Sequence, residues 1–466
     1  MRPAKRLLTF LSFIFIIGTA KANVSLPEFF SSHMVLQQNS EVKLWGWGNP
    51  TEKVAVTTSW STDTLHTVAS NQCKWSVVLS TPCGSQQAHT ITIQGYNTII
   101  LDDILMGEVW LLSGQSNMEW CARWGFNNAD EVVNNANRPN IRLFTVSRRT
   151  AENPIMDLKG NWKACSPETV LDFSAIGYIF GRTLQDSLDN VPVGLINTAW
   201  GGSPIEIWVP EEEITQDEYL LEESKKLEDM AWTAREPGRA YNAMIAPLMP
   251  LNIAGVLWYQ GETNAANPLA YAEMLQNLVE SWREGFQKDF PFYYAQIAPW
   301  NGYGPAAGAQ VRESQRRALD LIPDAGMVVV SDIGDTVDIH PRNKIDAGIR
   351  FANLALNKTY GKEELPTSGP LYQFYSVADK KVTVTFEHGE GLYADGPALS
   401  QFEVRDSTGT WYPAKAKIKK NTVEVYSKAV KNPKGVRFAW SSTATPGLFN
   451  KDHLPASCFT TSEDMK

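Results

Sequence analysis

The sequence predicts an α/β protein: a parallel sheet sandwiched by helices, with a β-rich segment at each end. Three observations carry this. From Ile104 onward, short apolar runs alternate with longer helical stretches. The runs are brief and bounded by turn residues, as in strands buried on both faces. On either side, from Asn23 to Asp103 and from Gly369 onward, polar and apolar residues alternate with the period of half-buried strands. The chain has 466 residues, and a single core rarely grows past about 250–300 residues, so several units are expected.

The first element is a leader. Met1-Arg-Pro-Ala-Lys-Arg6 is basic, Leu7 to Ile17 is largely apolar, and Ala20-Lys21-Ala22 offers small residues for cleavage. That pattern reads as a secretory signal peptide over 1–22, leaving Asn23 as the first mature residue. Export to the periplasm or the extracellular space follows, with no stable membrane insertion once the leader is removed. A compact β-sandwich is expected over 23–103, built on runs such as Glu41-Val-Lys-Leu-Trp-Gly-Trp47 and His89-Thr-Ile-Thr-Ile-Gln94. Over 104–368 the expected strands are Val109–Leu112, Val193–Ile196, Ile253–Tyr259, Phe292–Ile297 and Met327–Val330. Helices are expected over Asp172–Leu188, Tyr271–Phe286 and Gln310–Leu321. The charged stretch Glu211–Arg239 reads as a solvated helix or as the rim of a site. A second β segment is expected over 369–466.

Composition excludes some partners. The formal net charge is −9, and nucleic-acid binding rests on clustered Lys and Arg that this chain lacks beyond its leader. Five cysteines include no C-x-x-C pair and no zinc spacing, so neither metal nor cofactor is implied. Cys73 and Cys83 flank a short strand-like run, and a local disulfide between them is plausible in an exported protein. Sixteen tryptophans suit β-rich cores, and their flat faces also suit sugar rings.

In open parallel sheets ligands bind at the carboxyl ends of the strands, so chemistry is sought just after each apolar run. Val109–Leu112 leads into Ser113-Gly-Gln-Ser-Asn-Met118, where Gly114 permits a sharp turn before a helix. Ser116 then sits beside helix N–H groups that can stabilise an oxyanion, although a serine there also serves as a plain helix cap. Serine needs a base. Of six histidines, only His340 follows such a run, in Ser331-Asp332-Ile-Gly-Asp335-Thr-Val-Asp338-Ile-His340-Pro-Arg-Asn-Lys344, with three acids nearby to orient it. Two further strand ends carry polar clusters: Asn197-Thr-Ala-Trp-Gly201-Gly202-Ser203, where a backbone N–H can approach a reacting oxygen, and Trp258-Tyr-Gln260-Gly-Glu262-Thr-Asn264, which offers an amide and a carboxylate.

Together these clusters resemble the SGNH (GDSL-like) hydrolases, and within them the sialate O-acetylesterase family. The most specific pieces are Gly107-Glu-Val-Trp-Leu-Leu-Ser-Gly-Gln-Ser-Asn-Met-Glu119, Trp258-Tyr-Gln-Gly-Glu-Thr-Asn264 and Asp338-Ile-His-Pro-Arg-Asn-Lys344. The resemblance implies a flavodoxin-like three-layer core and metal-free hydrolysis of acetyl esters on sugars. It implies Ser116 as nucleophile, His340 as general base and Asp338 as its acid partner, with Asp335 the fallback. Many members place the acid three residues before the histidine, a position held here by Val337. The implied oxyanion donors are the N–H groups of Ser116 and of Gly201 or Gly202, with the Gln260 side chain. Gln115, Asn117, Glu262 and Arg312 are the implied substrate contacts. O-acetylated sialic acid is the implied substrate; its carboxylate wants a cation, and Arg312, Arg316 and Arg123 are the candidates. Acetylated plant glycans such as xylan or xyloglucan are the alternative, and Trp120, Trp124 and Trp300 would suit a neutral sugar. A non-catalytic sugar-binding protein is the third reading, and it requires the Ser/His pair to be misaligned.

Overall fold

The structure, a computed structural model, describes residues 23–465. The leader expected over 1–22 lies outside the described residues. The chain is organised around one strand of 17 residues, Thr98–Gly114. Its second half is the middle of the central sheet. In spatial order the sheet runs Ala325–Val329, Phe292–Gln296, Gly255–Tyr259, Thr98–Gly114, Val193–Asn197, Arg138–Thr145 and Trp162–Cys165. All neighbours pair in parallel except the last, which is antiparallel to Arg138–Thr145.

The apolar runs are continuous because both faces are covered. Val109, Leu111, Val256, Trp258, Phe292 and Tyr294 face one layer, packed with Leu275, Leu278 and Trp282 of the helix Tyr271–Phe286. Trp110, Leu112, Leu257, Tyr259 and Tyr293 face the other. There they meet Ile176, Ile179 and Phe180 of the helix Ala175–Ser187, and Phe351 and Leu354 of Lys344–Lys358. Trp110 is completely buried; a tryptophan hides about 200 Å², worth roughly 5 kcal/mol at about 25 cal/mol per Å².

The strands Arg138–Thr145 and Trp162–Cys165 and the helix Lys344–Lys358 were not among the sequence-expected elements. The first opens on Arg-Pro-Asn, and the second is only four residues long, so neither presents a clean apolar run.

The N-terminal half of the long strand pairs antiparallel with Ser85–Gln94 and parallel with Val35–Gln37. Ser85–Gln94 continues through Lys53–Thr58 to Thr64–Val68. Glu41–Trp47 and Lys74–Ser80 form a separate antiparallel pair. Lys74–Ser80 buries every second residue, Trp75, Val77 and Leu79, the period-two pattern of a half-buried strand. These side chains join the same apolar cluster as Val109 and Leu111. Residues 103 and 104, the expected boundary, therefore lie inside this strand, at a kink where Asp103 takes φ +56°.

Cys73 and Cys83 are separate thiols, as are the other three cysteines. The plausible bridge is corrected: the seven-residue strand Lys74–Ser80 stands between them, about 20 Å of extended chain, whereas a disulfide needs Cα atoms within roughly 7 Å.

Beyond residue 370 an antiparallel sheet of seven strands wraps its own core of Val382, Val384, Phe402, Val423, Val425, Phe438 and Phe459. It docks on the helix Ala307–Leu321. Arg312 donates to the carbonyl of Ser441, Arg317 to that of Ser462 at 2.8 Å, and Gln296 to Ser457 Oγ at 2.7 Å.

Candidate active site

From Thr98–Gly114 the chain builds outward on one side, to Arg138–Thr145 and Val193–Asn197. It then crosses to the other side, to Gly255–Tyr259. The carboxyl end of the long strand is thus a topological switch point, where adjacent connections diverge and leave a crevice. Ser116 stands there. Gly114 makes the turn at φ +124°, and a Cβ on it would lie 2.2 Å from the Tyr259 carbonyl oxygen, so only glycine fits. Gln115 N–H donates to that same carbonyl at 2.9 Å, and Trp200 N–H donates to the Gly114 carbonyl at 2.9 Å. The three strand ends are thereby laced together. The expected helix is a single turn, Ser116–Glu119, and Trp120 leaves it with ψ 126°. One turn adds little macrodipole. What it supplies is the unpaired N–H of its first residue.

His340, 224 residues away, places Nε2 2.9 Å from Ser116 Oγ. Its ring stacks on Trp120, with centroids 4.4 Å apart and planes at 28°; Trp120 is itself fixed by its indole N–H to the Gly125 carbonyl at 2.8 Å. Burial lowers the His340 pKa below its ordinary value, and the positive charge of Lys344 adds to this. The imidazole is therefore neutral at neutral pH and able to take a proton from Ser116.

The three acids of the loop differ sharply. Asp332 is paired with Arg350 at 2.6 Å. Asp335 accepts the N–H groups of Val337 and Asp338 at 2.8 and 3.3 Å, closing its own turn. Asp338 is the acid beside the ring, with Oδ1 3.6 Å from His340 Nδ1. That is too long for a hydrogen bond. The same oxygen accepts the His340 backbone N–H at 2.9 Å, so Asp338 braces the loop more than the ring.

Gln260 is completely buried, and its amide donates to the Ser203 carbonyl at 3.1 Å and to Asn264 Oδ1 at 2.7 Å. Both amide hydrogens are used below the cleft, which corrects the expected oxyanion role. Gln115 does line the cleft. Its Oε1 accepts the N–H groups of Gly261 and Thr263 at 3.3 and 3.4 Å. Gly201 adjoins Ser116: a Cβ on it would lie 3.5 Å from Ser116 Cβ. Its N–H is already donated, to Glu119 Oε2 at 2.8 Å. Gly202, at φ +78°, lies against the Trp232 indole.

Beneath Ser116 lies a buried polar chain. Lys344 Nζ donates to Asn117 Oδ1 at 2.6 Å; Asn117 Nδ2 donates to Glu262 Oε1 at 2.6 Å and to the Ile339 carbonyl at 3.0 Å. Burial pushes the Lys344 amine down to about 7 and the Glu262 carboxyl up. Asn117 is completely buried and, with Lys344, underpins the segments that carry Ser116 and His340. This buried position differs from the expected picture of Asn117 as a substrate contact.

The cleft above Ser116 has a volume of about 950 Å³, walled by Trp120, Trp124, Trp232, Trp300, Tyr303 and Met230. Met230 and Trp232 come from the charged stretch 211–239, which forms two short helices and then a rim. Arg312, an expected substrate contact, is instead 1% exposed and ties down the C-terminal sheet. Arg123 pairs with Asp172, and Arg316 with Glu313. The guanidinium in the cleft is that of Arg148, and it pairs with Glu119. Sequence reasoning missed Arg148 and Glu119 as a pair, because the strand before Arg148 went unrecognised. Among the described residues no group of His, Cys, Asp and Glu is arranged to hold a metal ion, and no helix is long and apolar enough to cross a membrane.

A family model described as a sialic acid-specific acetylesterase of the carbohydrate esterases matches residues 106–357, more than half of the chain. The chain belongs to this family. Sialate O-acetylesterases of rat and human are each 28% identical to it, over 89% of this chain and 89% and 87% of theirs. The solved structure of a carbohydrate acetylesterase from Xanthomonas citri is 32% identical with a TM-score of 0.86, covering 94% of this chain and 100% of that one. The chain is accordingly an ester hydrolase with carbohydrate O-acetylesterase activity.

Proposed function

We propose that the chain removes acetyl groups from sugars through an acetyl-enzyme on Ser116, with His340 as general base. The observation that carries this is the 2.9 Å contact between Ser116 Oγ and His340 Nε2 at the switch-point crevice. It also counts against a non-catalytic sugar-binding protein, which would have no use for that alignment. The strand order supports a flavodoxin-like SGNH core. Without Arg138–Thr145 and its antiparallel partner, the parallel strands follow the order 2-1-3-4-5 of that architecture.

In the reaction His340 takes the Ser116 proton as Oγ attacks the acetyl carbonyl, and returns it to the leaving sugar hydroxyl. Water then attacks the acetyl-enzyme by the same route. The Ser116 N–H, with a glycine N–H at 201 or 202, holds the oxyanion. Losing one such donor costs roughly 100–1000-fold. Asp338 supports the imidazolium at longer range.

For the sugar, O-acetylated sialic acid is supported by the family description and by the relatives' names. A second reading, neutral plant glycans, is favoured by the tryptophan walls and by the neutralisation of Arg148 by Glu119. The basic and apolar leader supports export to the periplasm or beyond. The test is S116A and H340A on an aryl acetate, with acetate release from O-acetylated sialic acids and from acetylated xylan and xyloglucan. Near-normal turnover by either variant refutes the mechanism, and the preferred glycan decides the sugar.

A further inference from the structure

We propose that Glu119 is a latch over the oxyanion donor of Gly201, and that Arg148 is the residue that draws it open. This rests on the acetyl-enzyme reading above. In the free enzyme each Glu119 oxygen is occupied: Oε2 accepts the Gly201 N–H at 2.8 Å, and Oε1 takes Arg148. Glu119 follows Ser116 by three residues on the same helical turn, so its carboxylate lies over the cleft floor beside the nucleophile.

Two consequences follow from charge alone. A donor already given to a carboxylate is not available to a developing oxyanion. A carboxylate left in place would also repel that oxyanion. With Gly201 as the donor, Glu119 must therefore leave it before Ser116 is acylated.

Arg148 makes that movement nearly balanced. It stands on the loop after Arg138–Thr145 and lines the cleft, with its side chain 45% exposed. When the carboxylate swings away it exchanges its bond to Gly201 for a second bond to the guanidinium, in the bidentate geometry arginine favours. The Gly201 N–H is released to the substrate oxygen. No bond is left unmade, and Glu119 stays on the protein rather than in the path of the sugar.

The test is a single-turnover burst with an aryl acetate, which has no group of its own for Arg148. E119A is expected to acylate roughly tenfold faster than the parent, the scale of one hydrogen-bond equilibrium, and E119Q to fall between them. R148A is expected to acylate more slowly, and its effect should vanish in the E119A background, because Arg148 then has nothing to draw away. Melting curves confirm that each variant is folded. Equal or slower acylation by E119A, or an R148A defect that persists without Glu119, overturns the latch. If the parent shows no burst and releases no acetate from any substrate, it is the esterase reading that fails.

Discussion

Replacing Asn117 with leucine removes three hydrogen bonds in one step: from Lys344 Nζ at 2.6 Å, to Glu262 Oε1 at 2.6 Å and to the Ile339 carbonyl at 3.0 Å. The side chain is replaced by one of similar volume, so the loss is polar rather than a cavity. Lys344 is 1% exposed and Glu262 4%, so neither regains a partner from solvent. At pH 6 the amine, with its pKa near 7, is mostly charged. Breaking a buried ionic network by removing one member costs about 3–5 kcal/mol, whereas replacing the whole network by apolar groups is often close to neutral. N117L should therefore cost about 3–5 kcal/mol, and the triple variant N117L/K344M/E262M should recover most of it. The assay is urea unfolding at pH 6, comparing midpoints at a common slope. A cost for N117L under about 1 kcal/mol, or a triple variant no more stable than N117L, refutes the reasoning. Because Asn117 also anchors Ile339, next to His340, acetate release by N117L should fall about 100-fold, the scale of an ångström misplacement.

Lys344 also sets the pH response. Its folded pKa, about 7, lies below the 10.5 of the free side chain, so the unfolded chain binds the extra proton between those values and stability rises with pH across that window, by at most about 5 kcal/mol; K344M should flatten that slope in urea titrations. The same variant removes a positive charge that lowers the His340 pKa, so the acid limb of kcat/KM, below the ordinary imidazole value in the parent, should move to higher pH. Asp338 stands 3.6 Å from the ring with a side chain 36% exposed, so D338N should lose about tenfold or less, where a buried and hydrogen-bonded triad acid loses about 10⁴-fold; a loss near the larger figure would restore Asp338 to a direct role. Cys121, Cys165 and Cys458 are buried, and burial raises the pKa of each, so a thiol reagent should label Cys73 and Cys83 in the folded protein and the other three only after unfolding.

The sequence was most legible where burial is two-sided. The runs Val193–Ile196, Ile253–Tyr259 and Phe292–Ile297 are continuous because helices cover both faces, and such runs show without any partner in view. The strand-end rule placed Ser116, His340, Gly201 and Glu262 at one edge of the sheet, and in the structure they line one cleft. What the sequence concealed depends on long-range partners. Nothing local distinguishes Gln260, with both amide hydrogens spent on Ser203 and Asn264, from a free donor. Arg312 reads as a cation in want of an anion until the C-terminal carbonyls around it are known. Arg148 was hidden by a strand that opens on Arg-Pro-Asn. Lys344 stood in the quoted run beside His340, but its burial, and hence its hold on Asn117, is a property of the fold.

The strand Thr98–Gly114 has a consequence for how such an enzyme can be cut, fused or inherited. Its outer half carries the N-terminal sheet and its inner half leads into Ser116, the two meeting at Asp103 within the same strand. Deleting residues before Thr98 would strip the antiparallel partner Ser85–Gln94 and lay bare Leu101 and Ile104, both buried. The N-terminal β segment is thus no detachable accessory: a protease that clips it, or a gene fusion that replaces it, reaches Ser116 through one continuous backbone.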